Sequence, residues 1–407
     1  MTPEITDRNS SAAEQVLKEP PDFSLVLGGP LYQLLRRAHL TGDALQLLRR
    51  RIVVLTLLAW APLLVLTLVE GHFWGGNVKL PFLKDIEMQA RLLLALPLLV
   101  VAELMVHQRI RPMVGQFLER GLVPDAERPK FDAAIASAMR LRNSILAEVL
   151  LILLVYVVGV GYVWRTQVAL DVASWYGVAA EGRLQPSLAG WWLGCVSLPL
   201  FQFLLLRWYF RLFVWARFLW MVSRIKLALL PTHPDRCGGL GFLSAVGQAF
   251  TPLLLAQGVV LAGMMANKIF YAGAKLPEFK LEIVALVTVM VLAIMGPLLV
   301  FAPMLEAVRR KGLMEYGRLA QRYAREFDEK WLRGGAAPGE PLIGSADIQS
   351  LADLGNSFEM VRGMRLSPFA LRTLVQLAVA SLLPVAPLLL TVIPLDQLIE
   401  TLIKAVF

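Results

Sequence analysis

Seven stretches of roughly twenty apolar residues run through the chain, near 52–70, 91–110, 145–164, 191–211, 250–271, 283–303 and 370–393. A helix of about 20 apolar residues crosses the hydrocarbon core of a bilayer. The pattern therefore predicts an all-α polytopic membrane protein with about seven transmembrane helices. Three of these helices are expected to outrun the bilayer. No Gly or Pro lies between Pro129 and Gly159, which predicts one helix from Arg128 to Trp164. Trp191 to Leu230 forms a second long run. The third leaves the sixth span and continues to Arg333, with Leu305, Val308, Gly312, Tyr316, Leu319, Tyr323, Phe327 and Trp331 at steps of three or four. An apolar stripe on an otherwise charged helix calls for a partner to cover it, either the neighbouring long helices or another subunit.

These elements divide the chain into four parts: a 1–51 segment, a 52–303 domain of six spans, a 304–369 helical segment, and a 370–407 part holding the seventh span. Gly and Pro near 334–345 mark a linker. Ser345 or Asp347 is placed to cap a following helix to about Arg365. Both chain ends read as amphipathic interfacial helices. Leu31, Leu34, Leu35 and Leu40 lie beside Arg36 and Arg37, and Leu395, Leu398, Ile399, Leu402, Ile403 and Val406 share a face opposite Asp396, Glu400 and Lys404.

Charge orients the spans. Of 40 basic residues, 31 fall in the segments on one side of the predicted spans and only seven in the opposite loops. The positive-inside rule then expects a cytoplasmic N-terminus, an external C-terminus and a cytoplasmic helical stalk. Trp74, Trp164, Trp175, Trp191 and Trp192 fall at the expected outer boundary, where amphipathic rings favour the headgroup level. Pro384, Pro387 and Pro394 leave a re-entrant hairpin as the alternative for the last segment. The first 50 residues hold no signal-peptide pattern, so the first span is expected to serve as its own insertion signal.

Composition agrees with the pattern: 57% hydrophobic and 17% charged residues, with a mean hydropathy of +0.60. Soluble chains run near 45–50% and about 25% respectively. A disordered chain, a nucleic-acid-binding basic domain and an ordinary cytosolic enzyme are excluded. The expected site is the plasma (bacterial inner) membrane. Cys195, Cys237 and the four histidines show no metal-ligand spacing, and the glycine runs lack a phosphate cradle, so neither metal nor cofactor is expected.

Four features carry candidate chemistry. Pro-Leu-Leu recurs at Pro62, Pro97, Pro252, Pro297 and Pro387, with the similar Pro199-Leu200-Phe201. Each proline frees a backbone carbonyl and favours a kink, although Leu is common enough here for the triplet to recur by chance. Polar residues fall inside spans: Glu103, His107, Glu148, Gln202, Gln257 and Asn267. They read either as an intramembrane polar pathway or as groups hydrated or arginine-paired near the interface. Arg207, Arg211 and Arg217 interleave with aromatics, too near the inner surface for a voltage sensor, and read as snorkelling side chains. The loop from Pro231 to Phe242 combines His233, Asp235 and Arg236 with Gly238, Gly239 and Gly241. It reads as a site for a metal, proton or anion, or as a tight turn that Pro234 and the glycines permit.

The function expected from these features is a channel or passive transport protein for ions or small solutes, assembled as a homo-oligomer in the lipid bilayer. Asp396 and Glu400 would ring an outer mouth. Two alternatives are a membrane scaffold whose stalk docks a cytoplasmic protein partner, and an enzyme using His233, Asp235 and Arg236 on a lipid-linked substrate. No nucleic-acid partner is expected.

Overall fold

A computed structural model describes residues 23–30, 32–33, 47–75, 78–164, 174–180 and 183–391. The interfacial helices expected at the two chain ends, with Asp396 and Glu400, lie outside the described residues.

The first span, α1 (Leu48–Val69), shows how these sequences choose their surroundings. It buries Arg51, Leu55, Ala59, Leu63 and Thr67, every fourth residue. The remaining surface is apolar too, with Val53, Leu57, Val65 and Leu68 more than half exposed. A helix apolar all round that buries only one stripe suits a hydrocarbon solvent. Leu276–Leu332 and Leu371–Thr391 bury as little of their apolar windows, whereas α2 (Ile86–Glu119) and α5 (Leu188–Val222) bury half of theirs and the Leu240–Ala272 segment more. Six helices are long and apolar enough to cross a membrane, or seven with the bent pair Asp125–Arg142 and Ile145–Gly159.

That bent pair corrects the expectation of one helix from Arg128 to Trp164. The chain forms α3 (Arg128–Arg142) and α4 (Ile145–Leu154), bent by 44°. Neither Gly nor Pro is needed for the break. Ser144 accepts from the Ala147 N–H at 3.3 Å and starts a new helix. The run expected from Trp191 to Leu230 also stops early, at Val222.

The α6 helix (Thr251–Ala272) lies deepest, with 61% of its apolar window buried against 22% in α1. Small residues permit this. A Cβ on Gly258 would lie 2.2 Å from the Ser381 carbonyl oxygen of α10 (Leu371–Leu382), and one on Gly263 would lie 3.1 Å from Cα of Glu87 in α2. Close backbone approach at small residues is the usual way helices associate where no water drives them together.

After α7 (Lys280–Met295) and a 3-10 turn at Gly296–Phe301, α8 (Ala302–Phe327) runs out of the bundle and α9 (Ala346–Arg362) folds back along it. The α9 helix, rather than the neighbouring long helices or another subunit, packs along this stripe. Leu305 and Gly312 are buried, and Tyr323 donates to the Asp347 carbonyl at 3.1 Å. Ser345 is the N-cap of α9. Leu319 stays 50% exposed.

Four of the six prolines border or sit in irregular backbone, whereas Pro62 lies inside the regular α1 and Pro252 in the first turn of the helix it opens. A π stretch at Ala90–Ala95 precedes Pro97, and another at Leu193–Ser197 precedes Pro199. Pro297 and Pro387 sit in 3-10 turns. A third π stretch, Val155–Trp164, continues α4. Proline offers no N–H to the carbonyl four residues before it. For Pro199 that carbonyl belongs to Cys195, and it accepts instead from the Tyr156 hydroxyl at 3.2 Å.

The 165–187 connection carries a two-stranded antiparallel hairpin, β1 (Gly177–Ala180) with β2 (Arg183–Pro186). It is a small exception to the all-α expectation.

Candidate functional site: a buried ionic cluster and a lateral cavity

At the arginine-rich end of the bundle, five charged side chains from four helices meet in the interior. Glu103 of α2 is the hub. One carboxylate oxygen, Oε2, accepts from Arg51 of α1. The other, Oε1, accepts from Arg211 of α5 at 2.7 Å and lies 3.8 Å from Arg207. Arg207 in turn stands 3.6 Å from Glu148 of α4. All five side chains are at most 9% exposed. Arg207 and Arg211 therefore do not snorkel to the surface as expected. The helix turns them inward on the face of Trp208 and Trp215, and Arg211 stacks over the Trp208 ring at 4.6 Å.

Residues 23–30 close this end. Phe23, Leu25 and Val26 are buried, and Phe23 packs on Phe218 with ring centroids 4.7 Å apart. Ser24 Oγ lies 3.0 Å from Nδ1 of His107, and the Ser24 carbonyl accepts from Arg142.

The predicted polar residues fall into separate places. Glu103 and Glu148 join through Arg207, with His107 beside them on Ser24. Gln257 donates to the Tyr209 hydroxyl at 2.8 Å. Gln202 lies against Gly159, where a Cβ would come 2.1 Å from its Oε1. Asn267, at the opposite end, donates to Asp85 at 2.8 Å. Asp85 is buried and also accepts from Trp175 Nε1 at 2.9 Å and from the Met88 N–H at 3.0 Å. Trp175 is thus a core residue packed on Phe82, not a boundary anchor. Trp74 and Trp191 are exposed.

Sequence reasoning missed Arg51, Asp85 and Ser24. Arg51 ends an Arg-Arg-Arg run and reads as an orienting charge. Asp85 had a usable signal, because an acid just before an apolar helical run is an N-cap.

The 231–242 loop uses its polar groups on itself. Asp235 accepts from the N–H groups of Cys237 at 2.7 Å, Gly239 at 3.2 Å and Gly241 at 2.8 Å, and Nδ1 of His233 lies 2.9 Å from it. Burial works to raise its pKa, but these donors and His233 outweigh burial and hold it below the ordinary carboxylate value. The Gly239 and Gly241 amides, candidate donors to an anion, already face this carboxylate. Gly238 and Gly239 adopt positive φ, and so does Arg236 at 54°. The Arg236 carbonyl accepts from the Arg365 N–H at 2.7 Å, and Arg365 Nη2 donates to the Asp235 carbonyl at 2.9 Å. The loop thereby pins the segment between α9 and α10.

Beside Glu148, a cavity of about 470 Å³ opens sideways between α1, α4 and α5. Val155, Tyr156, Cys195 and Val196, from two of the π stretches, contribute to its wall. No group of His, Cys, Asp or Glu suited to a metal ion occurs among the described residues. Comparison of the chain with protein-family models, with curated proteins and with solved structures finds no match.

Proposed function

We propose that the protein is a passive transport protein for ions or small solutes, with a cytoplasmic N-terminus, and that the Glu103 cluster is its inner gate. The observation that carries this reading is the single buried carboxylate that ties α1, α2 and α5 together and reaches α4 through Arg207. Ionisable groups inside spans are costly and mark pathways by default, and a buried ion pair adds little net stability over an apolar substitute. Its best-attested use is to specify one arrangement among several. Outward of the cluster, α2 and α5 each contain a π stretch and a third continues α4. Such stretches recur at functional sites and let a helix re-register. Three guanidinium groups against two carboxylates favour an anion at the gate.

The test is flux of K⁺, Cl⁻ and H⁺ from proteoliposomes. Glu103→Gln is expected to raise Cl⁻ flux by releasing the gate. Folded protein that passes none of the three ions overturns the reading.

A second reading, a scaffold that docks a cytoplasmic partner through the α8–α9 hairpin, is supported by apolar side chains at the hairpin's connection. Leu332 is 71% exposed and Ile343 is 91% exposed. It predicts that Leu332→Ser with Ile343→Ser removes a co-purifying protein while flux is unchanged.

A further inference from the structure

We propose that residues 23–30 are an autoinhibitory plug, a seated stretch of chain whose withdrawal unlocks the ionic cluster and opens the inner end of the bundle. The proposal rests on the transport reading and names what holds its gate shut.

The seat is deep, yet the segment is not built into the helical frame. Phe23, Leu25 and Val26 are at most 1% exposed, and Phe23 packs on both Trp215 and Phe218 of α5. Residues 23–29 nevertheless form neither helix nor strand. The Val26 and Leu27 N–H groups donate to Ser24 Oγ, at 3.2 and 2.9 Å, within the segment itself. Coil normally runs over the surface, because a buried loop has no ladder to satisfy its backbone. Burial of three apolar side chains and the entropy lost in ordering so short a segment are of the same order. Seating and withdrawal are therefore closely balanced, as in the low-stability elements that move in proteins.

Its outward bonds go to the parts of the gate. Arg207, which stands between Glu103 and Glu148, also donates to the Gly28 carbonyl at 3.5 Å. Arg142, the last residue of α3 at the 44° bend, donates to the Ser24 carbonyl. Ser24 Oγ meets His107 one helical turn along α2 from Glu103. The plug thus ties the cluster to the bend on which α4 is mounted. Withdrawal takes one acceptor from Arg142 and one from Arg207, which strengthens the cationic field at the inner mouth. That change favours an anion, the species the cluster itself favours.

Two glycines allow the close approach. Gly28 and Gly29 have φ of 139° and 90°. A Cβ on Gly28 would lie 2.6 Å from Asn143 Oδ1, and one on Gly29 would lie 2.9 Å from Glu148 Oε1. There is also room for the segment to shift, because the lateral cavity reaches Pro30 as well as Glu148.

The experiment uses the full-length protein in proteoliposomes and has two arms. In a Cys195→Ser background, Leu25→Cys is compared with Leu219→Cys of α5, both sites being at most 1% exposed. Labelling by a maleimide, corrected for the background protein, is expected to be about tenfold or more faster at position 25. Equally slow labelling at the two sites overturns the plug, because the segment then behaves as fixed core. In the second arm, Leu25→Asp unseats the plug through its apolar contact and Gly29→Val through its backbone. Each is expected to raise Cl⁻ flux by about tenfold, as a shifted closed–open balance requires, with Glu103→Gln as the reference for an opened gate. A rise in Glu103→Gln with no change in either plug variant overturns autoinhibition and leaves the gate standing. Folded proteins that pass no ion in any variant overturn the transport reading and the autoinhibition with it.

Discussion

Glu103 on α2 accepts a hydrogen bond from Arg211 on α5 at 2.7 Å, with both side chains at most 7% exposed. The two residues are 108 positions apart, and their pairing fixes the rotation of both helices. In α5 the arginines at 207 and 211 are one turn apart, so the face that buries one buries the other. The same rotation turns Trp208 inward, where its indole N–H donates to the Leu99 carbonyl at 2.9 Å.

Removing the hub carboxylate takes the shared partner from Arg51 and Arg211 and leaves Arg207 with Glu148. Glu103→Gln is expected to destabilise the protein by about 3–5 kcal/mol, the cost of breaking a buried pair from one side. A double-mutant cycle with Arg211→Gln, followed by thermal unfolding in detergent, should return a coupling energy of about 1–3 kcal/mol. A coupling near zero would show that the pair does not act as a unit.

Asp235 organises the 231–242 turn through three backbone donors. Asp235→Ala should cost about 2 kcal/mol, in the range for hydrogen bonds to a charged group. It should also speed proteolysis between α9 and α10. Because the folded state holds this pKa below its ordinary value, the contribution is complete above about pH 3.9 and fades only as pH falls through the lowered pKa. Unfolding followed between pH 8 and pH 5 should therefore show no loss from this group.

The α8–α9 hairpin is latched by ions at its surface. Lys330 lies 2.8 Å from Asp347 and 2.6 Å from Glu340, and Trp331 donates to Asp347 at 3.0 Å. Hydrogen bonds to Asp347 and Glu340 raise the pKa of Lys330, and hydrogen bonds from Lys330 and Trp331 lower that of Asp347. The latch is thus fully present between about pH 3.9 and pH 10.4, and is lost as pH falls through the lowered Asp347 value or rises through the raised Lys330 value. Asp347→Ala should increase tryptic cleavage at Arg333 at neutral pH without shifting the main unfolding transition. Unchanged cleavage would show that the latch does not hold the hairpin.

Gly258 lets α6 meet α10 backbone to backbone. Gly258→Ala should cost about 1–3 kcal/mol through overpacking, and Gly258→Val more, each read as a lower unfolding temperature in detergent. Neutral behaviour of both would mean that the last apolar segment does not pack there.

Orientation is open to direct measurement. In a Cys195→Ser background, Ser345→Cys should react with an impermeant thiol reagent in inside-out vesicles, and Lys275→Cys only in right-side-out ones. The reverse pattern would invert the topology.

Much of the architecture is local and therefore legible in the chain. Apolar runs of span length place the helices because backbone groups in hydrocarbon must bond within their own segment. The stripe from Leu305 to Trp331 announced that a partner must cover it, though not which one, and Ser345 announced where α9 starts. Four of the marked prolines sit in or just after irregular backbone, because a missing N–H is a property of one residue. Sequence could not say which of several polar groups in separate spans would meet. Arg51 looked like an orienting charge, Arg211 like a snorkelling one, and Trp175 like a boundary anchor. Their burial depends on how each helix is rotated about its axis, and rotation is fixed by contacts between residues far apart in the chain. Sequence alone thus determined the helical class, the long apolar helices fit to cross a membrane, and the striped helix that needs a cover. Only the tertiary structure decided that Glu103 gathers three arginines, that Asp235 consumes the amides of its own loop, and that two π stretches wall a cavity beside Glu148.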